Sequence, residues 1–182
     1  MVASAVKIYG KISSTKSKEF SMDRSTHAFN CIDHALHKIF EGASFSVSDS
    51  VVCDTTTVKW QITTPNTTKY SHLKFSLSST GEATFLVTEG SDRTDGTALS
   101  EVNKKRVGTP TAATTIVTRT PTGGSTDGAT TLFSIRKSTT IQPDENDFWI
   151  LKPNTKYVIS ITTYAAVYAT MKIDWAEHTD KD

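Results

Sequence analysis

The sequence predicts an all-β protein, a two-layer β-sandwich of jelly-roll type with about eight to ten strands and one short helix near residues 26–40. Three observations carry this. Val167, Ala169, Met171, Ile173 and Trp175 alternate with Tyr168, Thr170, Lys172 and Asp174, and a period of two places one set on a buried face and the other toward water. The same period recurs in Val58, Trp60 and Ile62 and in Leu73, Phe75 and Leu77, so each face needs a second sheet to cover it. Thr and Ser make up more than a quarter of the chain, and branched Thr suits the polar face of a strand.

Six further segments read as strands: Ser44 to Val52, Glu82 to Glu89, Thr114 to Thr120, Thr130 to Arg136, Phe148 to Leu151 and Lys156 to Tyr164. Ser79-Thr80-Gly81 lies between two alternating runs at hairpin spacing, so Ser71 to Glu89 is expected to form one hairpin. Pro121 to Gly128 contains Gly123, Gly124 and Gly128 among Thr, Ser and Asp and reads as an exposed loop joining two strands, a mobile hairpin tip rather than a partner-contacting loop. Thr26 to Phe40 carries Phe29, Ile32, Leu36, Ile39 and Phe40 on one helical face. Ser25 or Thr26 can cap its start, and Gly42 can end it. Residues 1–24, with a Ser/Lys-rich stretch from Lys11, read as an N-terminal arm, residues 25–177 as a single sandwich domain and 178–182 as a polar tail. No internal repeat is visible.

The 182 residues suit one all-β core. With 20 Lys plus Arg against 19 Asp plus Glu, no long-range field gathers polyanions, so neither nucleic acid nor a membrane surface is expected as a partner. No run approaches the roughly 18 apolar residues of a membrane helix, and Met1 to Gly10 lacks the blocks of a signal peptide. Synthesis and folding in a cytoplasm follow. Cys31 and Cys53 have no second pair to complete a zinc site, and in that compartment they are expected as free thiols rather than a disulfide.

Three acidic groupings deserve weighing as metal sites. Asp33, His34, His37 and Glu41 fall on neighbouring helical turns but lack a further ligand, so a plain polar helix face is the simpler reading. Asp92, Asp95 and Glu101, and likewise Asp144, Glu145 and Asp147, offer oxygen ligands without the ordered spacing of a calcium loop. No metal or other cofactor is therefore expected. No G-x-S-x-G elbow, Walker loop or dinucleotide loop occurs, so no catalytic residue is assigned and no enzyme activity is expected. Trp60, Trp149 and Trp175 could stack on a sugar, but their apolar neighbours point to core packing.

Two stretches carry a family likeness. The first is His72-Leu73-Lys74-Phe75-Ser76-Leu77, then Gly81-Glu82-Ala83-Thr84 to Glu89-Gly90, then Gly96-Thr97-Ala98-Leu99 and the Asn103 to Arg106 turn. The second is Phe148-Trp149-Ile150-Leu151-Lys152-Pro153-Asn154-Thr155-Lys156-Tyr157 with the strand to Trp175. Together, over about Val58 to Glu177, they resemble small structural proteins of tailed bacteriophage virions, of the head decoration or minor capsid kind. The chain departs from the pattern at Thr88 and Ala176, where that family often has aromatics. The resemblance implies a location on the virion capsid surface, self-association commonly as a homotrimer, and binding to the major capsid protein lattice. A tail, collar or fibre-base component is the nearest alternative, and a carbohydrate-binding module or adhesin is one from another class.

Overall fold

The structure is a computed structural model that describes residues 9–13, 16–19, 34–109, 111–137 and 148–179. The chain divides into two compact units, Met1–His37 and Lys38–Asp182. In the first, β1 (Tyr9–Ser13) pairs antiparallel with β2 (Lys16–Glu19).

Alternation dictates the second unit. Helix α1 (His34–Glu41) leads into β3 (Ser44–Cys53), β4 (Thr57–Thr63), β5 (Tyr70–Ser79) and β6 (Ala83–Glu89). After the short strands β7 (Thr97–Ala98), β8 (Val102–Asn103) and β9 (Ile116–Arg119) come β10 (Thr130–Lys137), β11 (Trp149–Leu151), β12 (Lys156–Thr163) and β13 (Val167–His178). One sheet has the order β10-β6-β12-β4-β9-β7, the other β11-β5-β13-β3-β8, and all pairings are antiparallel. Setting aside the three short strands and counting from β3, the sheets read first-eighth-third-sixth and second-seventh-fourth-fifth. That order is a jelly roll built from two Greek keys.

The inner faces form one apolar cluster. Trp60, Phe75, Leu77, Ile159, Ile161, Met171 and Ile173, all expected inside, are buried. Phe45 stacks on Trp175 at 5.5 Å, and Phe75 meets Phe133 and Trp149 at 6.0 Å. All nine expected strands are present, and β13 continues to His178, one residue into the predicted tail.

Three expectations are corrected. Ser71 to Glu89 is not a hairpin, because β5 and β6 lie in different sheets; the Ser79-Thr80-Gly81 turn carries the chain across the sandwich. Gly81 is required there, since a Cβ would stand 2.6 Å from Val167 Cγ1. Pro121 to Gly128 is not a hairpin tip, because it joins β9 to β10, which are separated by β6, β12 and β4. On α1, Phe40 is exposed whereas Lys38 is buried. The helix ends in a Schellman motif, with Gly42 N donating to Ile39 O and Ala43 N to Lys38 O, both at 3.0 Å, and Gly42 at φ +77°. Gly42 thus ends the helix as expected, while the packed side of its last turn carries Lys38 rather than Phe40. Residues 26–33 lie outside the described residues.

Residues 90–129 form one long insertion between β6 and β10. Its β8 extends one sheet beside β3, and its β9 and β7 extend the other beside β4. The insertion thus closes the same side of both sheets before returning over the outside.

Candidate interaction surfaces

Two inward carboxylates, Asp49 and Glu177, break the apolar rule and hold the insertion. In β3 the inward set is Phe45, Val47, Asp49, Val51 and Cys53. Asp49 Oδ2 accepts from the Trp60 indole Nε1 at 2.8 Å, and Arg119 Nη1 lies 3.2 Å from Oδ1. This carboxylate therefore ties β3 to β4 in the facing sheet and to β9 of the insertion. In β13 the inward set ends with Glu177, which is only 4% exposed. Its Oε1 accepts from Thr115 N at 2.7 Å, Thr114 N at 3.0 Å and Trp175 Nε1 at 3.2 Å, and its Oε2 accepts from Thr114 Oγ1 at 2.5 Å. Burial pushes this carboxyl up, but the Thr114 hydroxyl, the Thr115 and Thr114 amides and the Trp175 indole outweigh it and hold it below the usual glutamate range.

The glycine-rich crossover is fastened rather than projecting. Asp127 receives Lys59 Nζ at 2.6 Å and Arg93 Nε at 2.7 Å. Thr88 Oγ1 donates to Asp127 O, and Ser91 Oγ donates to Thr126 O. Thr94 and Gly123 form a β-bridge. Lys59, Gln61, Thr88, Val158 and Ser160 are outward positions on β4, β6 and β12, and Gln61, Thr88, Val158 and Ser160 are buried, so the crossover lies over this sheet's outer face. Burial raises the Asp127 carboxyl, but the Lys59 and Arg93 cations hold it below the usual range. Asp127→Ala is expected to destabilise the fold by about 1–3 kcal/mol, since Lys59 and Arg93 lose a half-buried partner, and to speed amide exchange in residues 120–129. Unchanged exchange there would contradict the fastening.

The acidic groups weighed as metal ligands have other duties where they are described. Asp92 accepts from Thr126 N at 2.7 Å and from Ser125 N and Oγ at 2.9 Å. Asp95 Oδ2 accepts from Thr94 Oγ1 at 2.9 Å, and Glu101 is exposed. Glu41 pairs with Lys38 Nζ at 2.9 Å. Asp33, the His34 and His37 side chains, and Asp144, Glu145 and Asp147 lie outside the described residues. Among the described residues no three His, Cys, Asp or Glu side chains are grouped to hold a metal. Cys53 is a free, buried thiol, and Cys31 lies outside the described residues. A cavity of about 360 Å³ opens beside the end of α1, lined by Lys38, Glu41, Lys69, Glu177 and His178. At its edge His178 Nε2 and His72 Nε2 stand 2.8 Å apart.

Trp60 and Trp175 are buried, and Trp149 packs on the core from the β11 edge; all three serve the interior. Among the described residues the exposed aromatics are others: Phe40, Phe148, Tyr164 and Tyr168. The Arg136 guanidinium covers the Tyr164 ring at 4.4 Å.

The two stretches that carry the sequence resemblance meet in space. β11 pairs with β5 through Trp149↔Leu73, Ile150↔His72 and Leu151↔Ser71, and β12 pairs with β6 through Tyr157↔Glu89. Lys152 Nζ reaches Glu89 Oε1 at 2.6 Å. The Tyr157 hydroxyl accepts from Lys152 N at 2.9 Å, closing a tyrosine corner of the kind found in β-sandwiches. Burial pushes the Tyr157 hydroxyl up to about 12.

The other sheet presents its outer face to solvent as a grid in register. Ala176 pairs with His72 and Ser44, Asp174 with Lys74 and Ser46, Lys172 with Ser76 and Ser48, Thr170 with Ser78 and Ser50, and Tyr168 with Val52. Ser48, Ser50, Val52, Tyr168 and Lys172 are exposed. Burial raises the Asp174 carboxyl, but Lys104, Ser46 and Lys172 bring it below the usual range. Sequence reasoning did not single out this face, although serines at 46, 48 and 50 in one phase of β3 carry its signal.

No helix among the described residues is long and apolar enough to cross a membrane. Compared with protein-family models, curated proteins and solved structures, the chain matches none.

Proposed function

We propose that this chain is a structural component of a tailed-phage virion, a decoration protein that binds the outer surface of the assembled head across subunit boundaries. The observation that carries the proposal is the jelly-roll strand order, an architecture used by viral capsid and lectin domains. Fold alone does not determine function. The resemblance adds to it, since the stretches that carry it come together at β5–β11 and β6–β12. A rigid sandwich with one outer face covered by its own crossover and the other open suits docking onto a lattice. Contacts repeated over a symmetric particle can each be weak, because multivalency supplies the strength.

In this reading the chain self-associates as a trimer, matching a local symmetry axis of the shell. It binds mature heads more tightly than unexpanded ones, because a site spanning several subunits is complete only after expansion. Light scattering on the purified protein and add-back to heads assembled without it test this. A monomer that fails to bind such heads would defeat the decoration reading.

Tyr164 and Tyr168, exposed at the β12–β13 turn, favour one second reading, a glycan-binding module. Glycan-array binding lost in Tyr168→Ala would support it.

A further inference from the structure

We propose that Asp95-Gly96 is a site of spontaneous covalent modification, where the backbone rearranges through a cyclic imide to an isoaspartyl link, and that the fold protects the chain's other Asp-Gly dipeptide, Asp127-Gly128. Both dipeptides belong to the insertion between β6 and β10. The sequence presents them as equals, and the structure does not. The reaction needs a carboxyl that can turn toward the next residue's amide, and glycine leaves that amide open because no Cβ stands beside it.

In Asp127-Gly128 both reacting groups are engaged. Asp127 Oδ2 accepts from Lys59 Nζ at 2.6 Å and Oδ1 from Arg93 Nε at 2.7 Å, so the carboxyl cannot turn toward Gly128 N without breaking a charge-assisted bond. The two cations also keep it ionised, and a carboxylate anion is a poor electrophile. Gly128 N donates to Thr126 Oγ1 at 3.1 Å, and Gly128 lies tight on β6, where a Cβ would stand 2.5 Å from Glu89 O. In Asp95-Gly96 the restraints are fewer. Asp95 is exposed, and its carboxylate accepts from the hydroxyl of the neighbouring Thr94, 2.9 Å from Oδ2. Gly96 N lies outside the β7–β9 ladder, which begins at Thr97↔Arg119. Asp95 also holds φ +56°, the left-handed region in which the Cβ of an L residue is crowded. The product is free of that crowding, because its chain runs on through Cβ and Cγ.

The reaction balances with water as its only co-reactant. Gly96 N attacks Asp95 Cγ; the N–Cγ bond forms, the Cγ–O bond breaks, and the amide proton leaves with the hydroxyl of the protonated carboxyl as water. Water then adds to either carbonyl of the ring. Addition at Cγ restores aspartate. Addition at the main-chain carbonyl breaks the original peptide bond and leaves the chain joined through Cγ, with a free α-carboxylate. Nothing is oxidised or reduced, and the mass returns to its starting value. The rearranged backbone is one carbon longer. The main-chain oxygen of Asp95, which accepts from Thr122 N at 3.4 Å, becomes part of a carboxylate, and the Thr94↔Gly123 bridge beside it is displaced. Modification of Asp95 therefore loosens the seam between the start of the insertion and its crossover.

The test ages the full-length protein at neutral pH, digests it, and reads isoaspartate at each dipeptide by electron-transfer fragmentation and by enzymatic methylation of the free α-carboxylate. The folded chain is expected to accumulate isoaspartate at Asp95 severalfold faster than at Asp127. In urea the two dipeptides should react at similar rates, since only the fold distinguishes them. Lys59→Met, shown to be folded by its melting curve, should raise the rate at Asp127 by removing one of its two cations. Ageing should speed amide exchange in residues 122–124, and Asp95→Glu, whose longer side chain closes the ring far more slowly, should abolish that change. A folded chain that forms no isoaspartate at Asp95 while the chain in urea does would overturn the site. Equal accumulation at Asp95 and Asp127 in the folded chain would overturn the protection of Asp127.

Discussion

Ile173→Asp is expected to abolish folding. Ile173 is fully buried, paired across β13 with Phe75 on one side and Val47 on the other, at the centre of the inner face. A carboxylate there has no cation or donor among its apolar neighbours, and stranding one costs several kcal/mol or more. Domains of this kind hold only about 5–15 kcal/mol in all. Ile173→Ala gives the graded counterpart, about 2–5 kcal/mol from lost burial and the cavity left behind. Urea melts measure both. An Ile173→Asp variant that stays soluble and melts cooperatively would contradict the assignment of the β13 inner face to the core.

Glu177→Gln should cost about 2–4 kcal/mol while leaving the chain folded, because it keeps the size of the side chain but turns one acceptor into a donor. The hydrogen-bond partners of Glu177 all donate: the Thr114 amide and hydroxyl, the Thr115 amide and the Trp175 indole. An NH₂ group set among them leaves a donor facing a donor. The pH dependence has a defined sign. Because the folded carboxyl lies below its ordinary value of 4.5, the stability it contributes is present in full above that value. It is lost as pH falls through the lower folded value, where the folded state must also take up the proton. Asp127, Asp174 and Glu89 are held low in the same direction, so stability should decline on acidification from several sites. Glu177→Gln should flatten part of that decline. A variant with the acid profile of the unaltered chain would remove Glu177 from the account.

The strands were legible because one sandwich face is dry, and a period of two records that directly in Leu73-Phe75-Leu77 and Met171-Ile173-Trp175. Which strand each run pairs with was not legible. Ser71 to Glu89 carries the same alternation whether the chain folds back in one sheet or crosses to the other, and only the pairing of β5 with β13 and of β6 with β12 tells them apart. The strands β7 and β8, of two residues each, are too short for any period. The crossover read as a free tip because its glycines and hydroxyl residues are those of a loop, while its fasteners Lys59, Thr88 and Arg93 are distant in sequence. Asp49 and Glu177 were passed over although each occupies an inward phase where apolar residues are expected; a charged residue in that phase was the readable sign of a buried tie. On α1 the apolar face read from Leu36, Ile39 and Phe40 did not foretell that Lys38 is buried and Phe40 exposed.

The proposal that this chain coats an icosahedral head is tested most directly by its copy number in purified particles, measured by quantitative mass spectrometry against the major shell protein. A repeated lattice contact predicts tens to hundreds of copies per particle, in fixed ratio to the shell subunits. A few copies, or a couple of dozen, would place the chain at the tail, collar or fibre base, and none would remove it from the particle altogether.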